Sequence, residues 1–173
     1  EVTDGIYQVR NQDLSNMTII EGSEGITIVD PLVSEETSKI GLDLYYSKRG
    51  RKPVKAVIYT HSHVDHYGGV RGVVSEDDVN SGKAKIYAPE GFLEAAVAED
   101  VMAGTAMSPR ASYMYGNLLK PDPKGQVGAG LGTTTSAGTV TLIPPTNIIR
   151  ETGHKEKIDG LTYEFLMAPG SEA

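Results

Sequence analysis

The chain has 173 residues, with 16 Lys plus Arg against 23 Asp plus Glu, a formal charge of −7. That balance argues against the basic face of a nucleic-acid binder, and the absence of cysteine excludes disulfides, thiolate-bound zinc and cysteine nucleophiles. With 39% apolar and 23% charged residues it reads as one globular domain, long enough to bury roughly 70% of its unfolded surface. No apolar run approaches the ~20 residues of a membrane span, and no apolar stretch follows a basic start as in a signal peptide.

The first thirty residues read as strands. Residues 6–10 alternate after Gly5, and Met17–Glu21 and Ile26–Val29 flank Gly22-Ser23-Glu24-Gly25 as a hairpin. Ser34 is the expected N-cap of a helix that ends near Gly50, with Thr37 in place of the Glu of a capping box and Gly41 weakening the pattern. Residues 54–59 form an apolar strand. A short helix is expected over 65–74, with the acidic run 76–78 a solvated helix end. A strand follows over 83–88, then a helix opened by Pro89 and reaching Met102, with Phe92, Leu93, Ala96 and Val97 inward. A further helix is expected over 109–118, a Gly, Pro and Thr-rich loop over 121–138, and strands over 139–143 and 162–167, the last after a turn at 158–161. His154 lies in a charged stretch between turns and reads as solvated. Strands and helices interleave, so the class is α/β or α+β.

The chemistry is concentrated in Thr60-His61-Ser62-His63-Val64-Asp65-His66, directly after the apolar strand. His61 and His63 fall on one side of an extended chain and can grip one ion. Asp65 and His66 come where the chain bends and can turn to a second. Imidazole and carboxylate ligands suit Zn, Fe or Mn. Gly68-Gly69 lets backbone pack closely behind them. The alternative is a histidine-rich surface loop, but three of the four histidines of the chain sit within these six residues. The Gly128–Gly132 stretch only superficially resembles a phosphate loop, because no strand precedes it and the full spacing fails. Asn16-Met17-Thr18 is a glycosylation sequon within a strand and carries little weight.

The His-x-His-x-Asp-His pattern resembles the signature of the metallo-β-lactamase superfamily. Within it, Gly5 to Arg10, Asp13 to Thr18, the Arg110-Ala111-Ser112-Tyr113-Met114-Tyr115-Gly116-Asn117 stretch and the Pro169-Gly170-Ser171-Glu172-Ala173 ending resemble the alkyl sulfatases, which hydrolyse dodecyl sulfate and related esters. The resemblance implies an αβ/βα sandwich, an α+β fold, present here as its N-terminal part over residues 1–173. The rest of the catalytic domain, a helical dimerisation region and a lipid-carrier-like domain are then expected on further chain. It implies a binuclear zinc site in the intact enzyme, with His61, His63 and Glu172 on one ion and Asp65 with His66 on the other. Asp65 is expected both to ligate and to orient a hydroxide. A bridging carboxylate, a further histidine, a general acid and sulfate-binding arginines are expected outside these residues.

Asp30 either orients a ligand histidine or simply forms a turn before Pro31. Tyr113, Tyr115 and Asn117 either line a substrate pocket or, for the tyrosines, pack a helix. The expected partners are an alkyl sulfate, the remainder of the same enzyme and, when intact, a second copy in a homodimer. No nucleic acid and no membrane span is expected. The family resemblance favours a periplasmic or secreted location, with a cytoplasmic one open. Another hydrolase of the superfamily, acting on a lactone, thioester or phosphodiester, and an inactive fragment that associates with its own remainder are the competing readings. An open sandwich exposes sheet face and edge, so these residues alone are expected to be poorly stable and inactive.

Overall fold

The computed structural model describes residues 1–171. A six-stranded mixed sheet runs in the order β1 to β6: β1 (Ile6–Val9), β2 (Met17–Glu21), β3 (Ile26–Val29), β4 (Val54–Ile58), β5 (Lys85–Pro89) and β6 (Asn147–Ile149). The first three strands are antiparallel neighbours, and β3 through β6 run parallel. A separate antiparallel hairpin, β7 (His154–Ile158) and β8 (Leu161–Phe165), covers part of one face.

Side-chain alternation assigns the two faces. Ile26, Ile28, Val57, Tyr59, Ile86 and Ala88 pack with Leu42, Tyr45, Val70 and Phe92 in the larger core. Their sequence neighbours Val29, Ala56, Ile58 and Tyr87 meet Ile158, Tyr163, Phe165 and Met167 of the hairpin segment. Two apolar faces on one sheet require cover on both, which is the α+β sandwich anticipated from the sequence.

Helix α1 (Glu35–Arg49) has its expected ends: the Ser34 hydroxyl accepts from the Thr37 amide, and the Gly50 N–H closes on the Tyr46 carbonyl. Glu35 and Glu36 stand at its start and Lys48 and Arg49 at its end, matching the helix dipole. Gly41, a weak helix former, sits on the buried face, where a Cβ would come within 2.8 Å of the Met17 methyl. Close approach to the sheet is the reason for glycine there.

Several expectations are corrected. Residues 64–74 form two 3₁₀ turns, Val64–His66 and Val70–Gly72, rather than one helix. Between them a Cβ on Gly68 or Gly69 would meet the Val33 or Pro31 carbonyl at 2.2 Å, so the chain can pass only as glycine. Pro89 ends β5 instead of opening a helix. Its missing N–H falls on the side away from β6, so the pairing with that strand is kept, and the Glu90 amide makes the last bond, to the Ile149 carbonyl. The helix starts after a left-handed Gly91 as α3 (Phe92–Ala96), then widens into a π-helical turn, Val97–Met102, and Leu93 and Val97 are exposed rather than inward.

Helix α4 (Gly104–Tyr115) begins five residues before Pro109, nucleated by Ala106 and Met107 amides on the Ala103 carbonyl. Residues 139–143 form no strand. Thr139 instead caps the start of α1, where its amide and hydroxyl bind the Glu36 carboxylate at 2.8 Å each, and Thr141 donates its hydroxyl to the Gly68 carbonyl. His154 is half-buried on β7, its Nε2 3.1 Å from Glu156 Oε1. Two short helices, α2 (Glu76–Asn80) and α3, complete the helical side.

Buried Asp13 organises the long loop. Its carboxylate accepts from the amides of Leu14, Val33 and Ser136 at 2.8 to 3.0 Å and from the hydroxyls of Thr37 and Ser136. Asp13→Ala is expected to lower stability by about 2 to 4 kcal/mol in denaturant unfolding, since it orphans buried donors from three segments. At the far end of α1, Glu21 meets Arg49, Tyr45 and Lys52. Hydrogen bonding from Arg49 holds its carboxyl down at about 2, against a usual 4.5. A depressed carboxyl stabilises above its unfolded pKa and loses that contribution as pH falls. Glu21→Gln is therefore expected to flatten the acid dependence of stability between pH 4.5 and about 2, by about 1 to 2 kcal/mol after solvent screening.

Candidate metal centre

Parallel strands place their carboxyl ends on one edge, the usual seat of a ligand site in such sheets. Here β3 delivers Asp30, β4 delivers Thr60 to His66, and β5 delivers Glu90 and Gly91. Asp30 has φ +57°, a left-handed turn that an Asp tolerates, and is 8% exposed. Its carboxylate accepts from the Thr60 amide at 2.9 Å, the Thr60 hydroxyl at 2.8 Å and His66 Nδ1 at 2.8 Å. Thr60 Oγ1 lies 2.9 Å from His61 Nδ1. One buried acid thus fixes two histidines, one directly and one through a hydroxyl.

That bonding leaves the Nε2 of each of the two rings facing another member of the cluster. His61 Nε2 lies 3.1 Å from His63 Nδ1, and His66 Nε2 lies 3.2 Å from Asp65 Oδ2. The His61 and His66 rings are 3.9 Å apart, centre to centre. Among the described residues, no three His, Asp or Glu side chains already close on a single point. The donor set nevertheless fits a divalent cation: three imidazoles and a carboxylate, without sulfur. The 3.1 and 3.2 Å separations are close to what two ligands about 2.0–2.1 Å from one ion span. Glu172 lies outside the described residues.

The electrostatics are those of a compact acidic cluster. Burial presses His66 toward neutrality, but bonds from Asp30 and Asp65 outweigh it and lift its pKa to about 9. Burial raises the Asp65 carboxyl, and the His66 contact more than reverses that, leaving it below its ordinary range. His61 is lowered, by burial first and by His66 and His63 next.

Behind the loop, Tyr59 stacks on Phe92 at 5.0 Å and Tyr67 meets the same ring edge-on at 5.4 Å. The Tyr67 hydroxyl donates to Asp100. Ser15 donates its hydroxyl to the Asp65 carbonyl. The sequence reading missed the roles of Thr60, Ser15, Tyr67 and Asp100. Each acts from a separate segment or through an unremarkable residue type, and no local spacing announces it.

The cluster opens into a cleft of about 930 Å³ walled by Leu14, Phe92, Tyr115, Leu166 and Met167. Tyr115 is on that wall. Tyr113 is 92% exposed and Asn117 reaches toward Thr135, and neither lines the cleft. No Lys or Arg is among the described lining residues.

A two-faced mixed sheet whose parallel strands end in a histidine-rich, sulfur-free loop defines the α+β sandwich proteins that hold divalent metals. The chain belongs to the metallo-beta-lactamase superfamily, whose family model matches residues 10–154. That membership implies a divalent cation, commonly zinc. The chain is 80% identical, over all of its length, to a linear primary-alkylsulfatase of a Pseudomonas species, and covers 26% of that protein. It is 54% identical over its length to an alkyl/aryl-sulfatase of Saccharomyces cerevisiae, covering 27%. The solved structure of a stereoselective inverting sec-alkylsulfatase from Pseudomonas superposes on the whole chain with a TM-score of 0.95 at 45% identity, again over 27% of that protein. The chain therefore spans about a quarter of the length of the relatives it matches.

In Asp30→Asn the outer carboxylate is gone and Asp65 alone opposes burial. The His66 pKa is expected to fall from about 9 toward or below 6.5, read by NMR titration of the histidine ring protons in metal-free protein. A value that stays near 9 contradicts the role given to Asp30.

Proposed function

We propose that this chain is the metal-binding part of an alkyl sulfatase, hydrolysing alkyl sulfate esters such as dodecyl sulfate to an alcohol and inorganic sulfate. The observation that carries this reading is the 80% identity to a linear primary-alkylsulfatase across all 173 residues, which spans the whole histidine cluster. His61 and His63, with Glu172 from outside the described residues, are the proposed ligands of one cation, and Asp65 with His66 those of a second. Cations of the zinc type held by these residues would supply Lewis acidity and would lower the pKa of water there to about 7.

The chain's own residues do the rest. Asp30 holds His66 by Nδ1 and, through Thr60, holds His61 by Nδ1, so both rings present Nε2 to the centre. Asp65 Oδ2 stands 3.2 Å from His66 Nε2 and is the proposed acceptor that orients the attacking water. Leu14, Phe92, Leu166 and Met167 offer an apolar wall to an alkyl chain, with Tyr115 beside them. Tyr113 and Asn117 would need the α4 segment to be shifted by further chain to reach the substrate.

The remaining three quarters of the relatives' length is proposed to supply the missing ligands, the general acid, the arginines for sulfate and the dimer contact. The dimer itself rests on the family resemblance alone.

The test uses the full-length enzyme and released sulfate as the readout. Dodecyl sulfate should be turned over faster than lactone, thioester and phosphodiester substrates, and exhaustive chelation should abolish turnover until metal is restored. Asp65→Asn should lower kcat at least about 100-fold. Turnover that survives chelation, or a preference for one of the other esters, would reject the reading.

A further inference from the structure

Two of the three clustered histidines are held from behind by a named acceptor. His61 has Thr60 at Nδ1 and His66 has Asp30 at Nδ1. His63 is turned the other way: its Nδ1 faces His61 Nε2 at 3.1 Å, so its Nε2 is the nitrogen pointing out of the cluster. The group on that side is the Glu99 carboxylate, with Oε2 3.8 Å from His63 Nε2 and the Glu99 side chain 25% exposed. Glu99 belongs to the π-helical turn Val97–Met102, where the Ala103 amide reaches back five residues to Ala98. Such single wide turns inside helices occur often at functional sites.

The wide turn has a specific geometric consequence. It narrows the angle between consecutive side chains, so that Glu99 and Asp100 both face the loop after β4. Asp100 takes the Tyr67 hydroxyl, and Tyr67 is itself buried against Phe92 and Tyr59. That bond anchors the turn one residue from Glu99, across 33 residues of sequence.

We propose that Glu99 is the positioning carboxylate of His63, accepting a hydrogen bond from Nε2–H so that Nδ1 is free to bind the cation it shares with His61. The Tyr67–Asp100 bond fixes the π-turn that presents Glu99. At 3.8 Å the present contact is an ion-pair distance rather than a hydrogen bond, and the proposed role requires the Glu99 carboxylate to come within hydrogen-bond reach of His63 Nε2. Carboxylates that accept from the far nitrogen of a ligand histidine fix its tautomer and aim its lone pair, and their loss commonly costs 10–100-fold in metal affinity. The inference rests on the proposed use of His61 and His63 as ligands.

The test is cobalt binding to the metal-free full-length enzyme, read by affinity and by the visible spectrum of the bound ion. His63→Ala in the parent should abolish or cripple one site. Glu99→Ala should weaken binding at that site 10–100-fold and shift the cobalt bands, whereas Glu99→Gln, which keeps an acceptor oxygen, should lose less. Glu94→Ala, an exposed acid one turn earlier, should change nothing. In a His63→Ala background Glu99→Ala should add no further loss, because its effect runs through that ring. The melting temperature of the metal-free form reports folding, and Glu99→Gln serves if the Ala variant unfolds. Cobalt affinity and spectrum unchanged in both Glu99 variants, with His63→Ala still impaired, overturns this inference alone. Cobalt binding untouched by His63→Ala overturns the ligand reading beneath it.

Discussion

The candidate centre depends on one buried carboxylate. Asp30 ends β3 in a left-handed turn, and its two oxygens collect an amide, a hydroxyl and an imidazole from the loop that follows β4. A buried acid with no partner is costly. Here three donors from the neighbouring parallel strand offset that cost, and in doing so they fix where that strand's loop must run. Strand register, loop path and the orientation of two imidazoles follow from one set of hydrogen bonds. The arrangement is cooperative, because each bond is possible only if β3 and β4 are paired as parallel neighbours.

Sterics then complete what the hydrogen bonds begin. After His66 the chain turns beneath the Pro31–Ser34 backbone, at distances that exclude any Cβ at Gly68 and Gly69. The result is a loop held on both sides, by Asp30 in front and by the backbone of residues 31–35 behind. Below it, Tyr59, Tyr67 and Phe92 form a rigid aromatic support. A metal site needs ligands whose freedom is already spent before the ion arrives, and this packing restricts the loop that carries the proposed ligands.

How much of this was legible in the sequence follows from where each constraint lies. The hairpin β2–β3, strand β4, the Ser34 and Gly50 caps of α1 and the 61–66 cluster all carry their signal within a few residues, and all were readable. Asp30 was visible only as an ambiguity between a turn former and a histidine anchor, and the fold resolves its position because β3 and β4 are adjacent. The errors came where tertiary partners overrode local preference. Thr139 and Thr141 look like strand residues but satisfy themselves on Glu36 and on Gly68. Pro89 looks like a helix opener but ends a strand whose next amide does the pairing. Strand β7, with its charged HKEKI sequence, hides its alternation because only one side of it is half-buried. Glu99 and Asp100 could not be read at all, since their relation to His63 and Tyr67 exists only after the chain has folded.

Charge gives the centre its direction. The protein carries −7 overall, and Asp30, Asp65, Glu99 and Asp100 gather near the strand ends with no Lys or Arg on the described cleft wall. Such a pocket repels an anionic ester. An acidic, histidine-rich pocket attracts divalent cations, and cations held there would reverse the local sign at the spot where the sulfate group of the proposed substrate would sit. On that reasoning the carboxylates serve the proposed reaction indirectly. They hold the imidazoles and collect positive charge, while the described residues of the cleft beside them add no Lys or Arg and offer an apolar wall to the rest of the molecule.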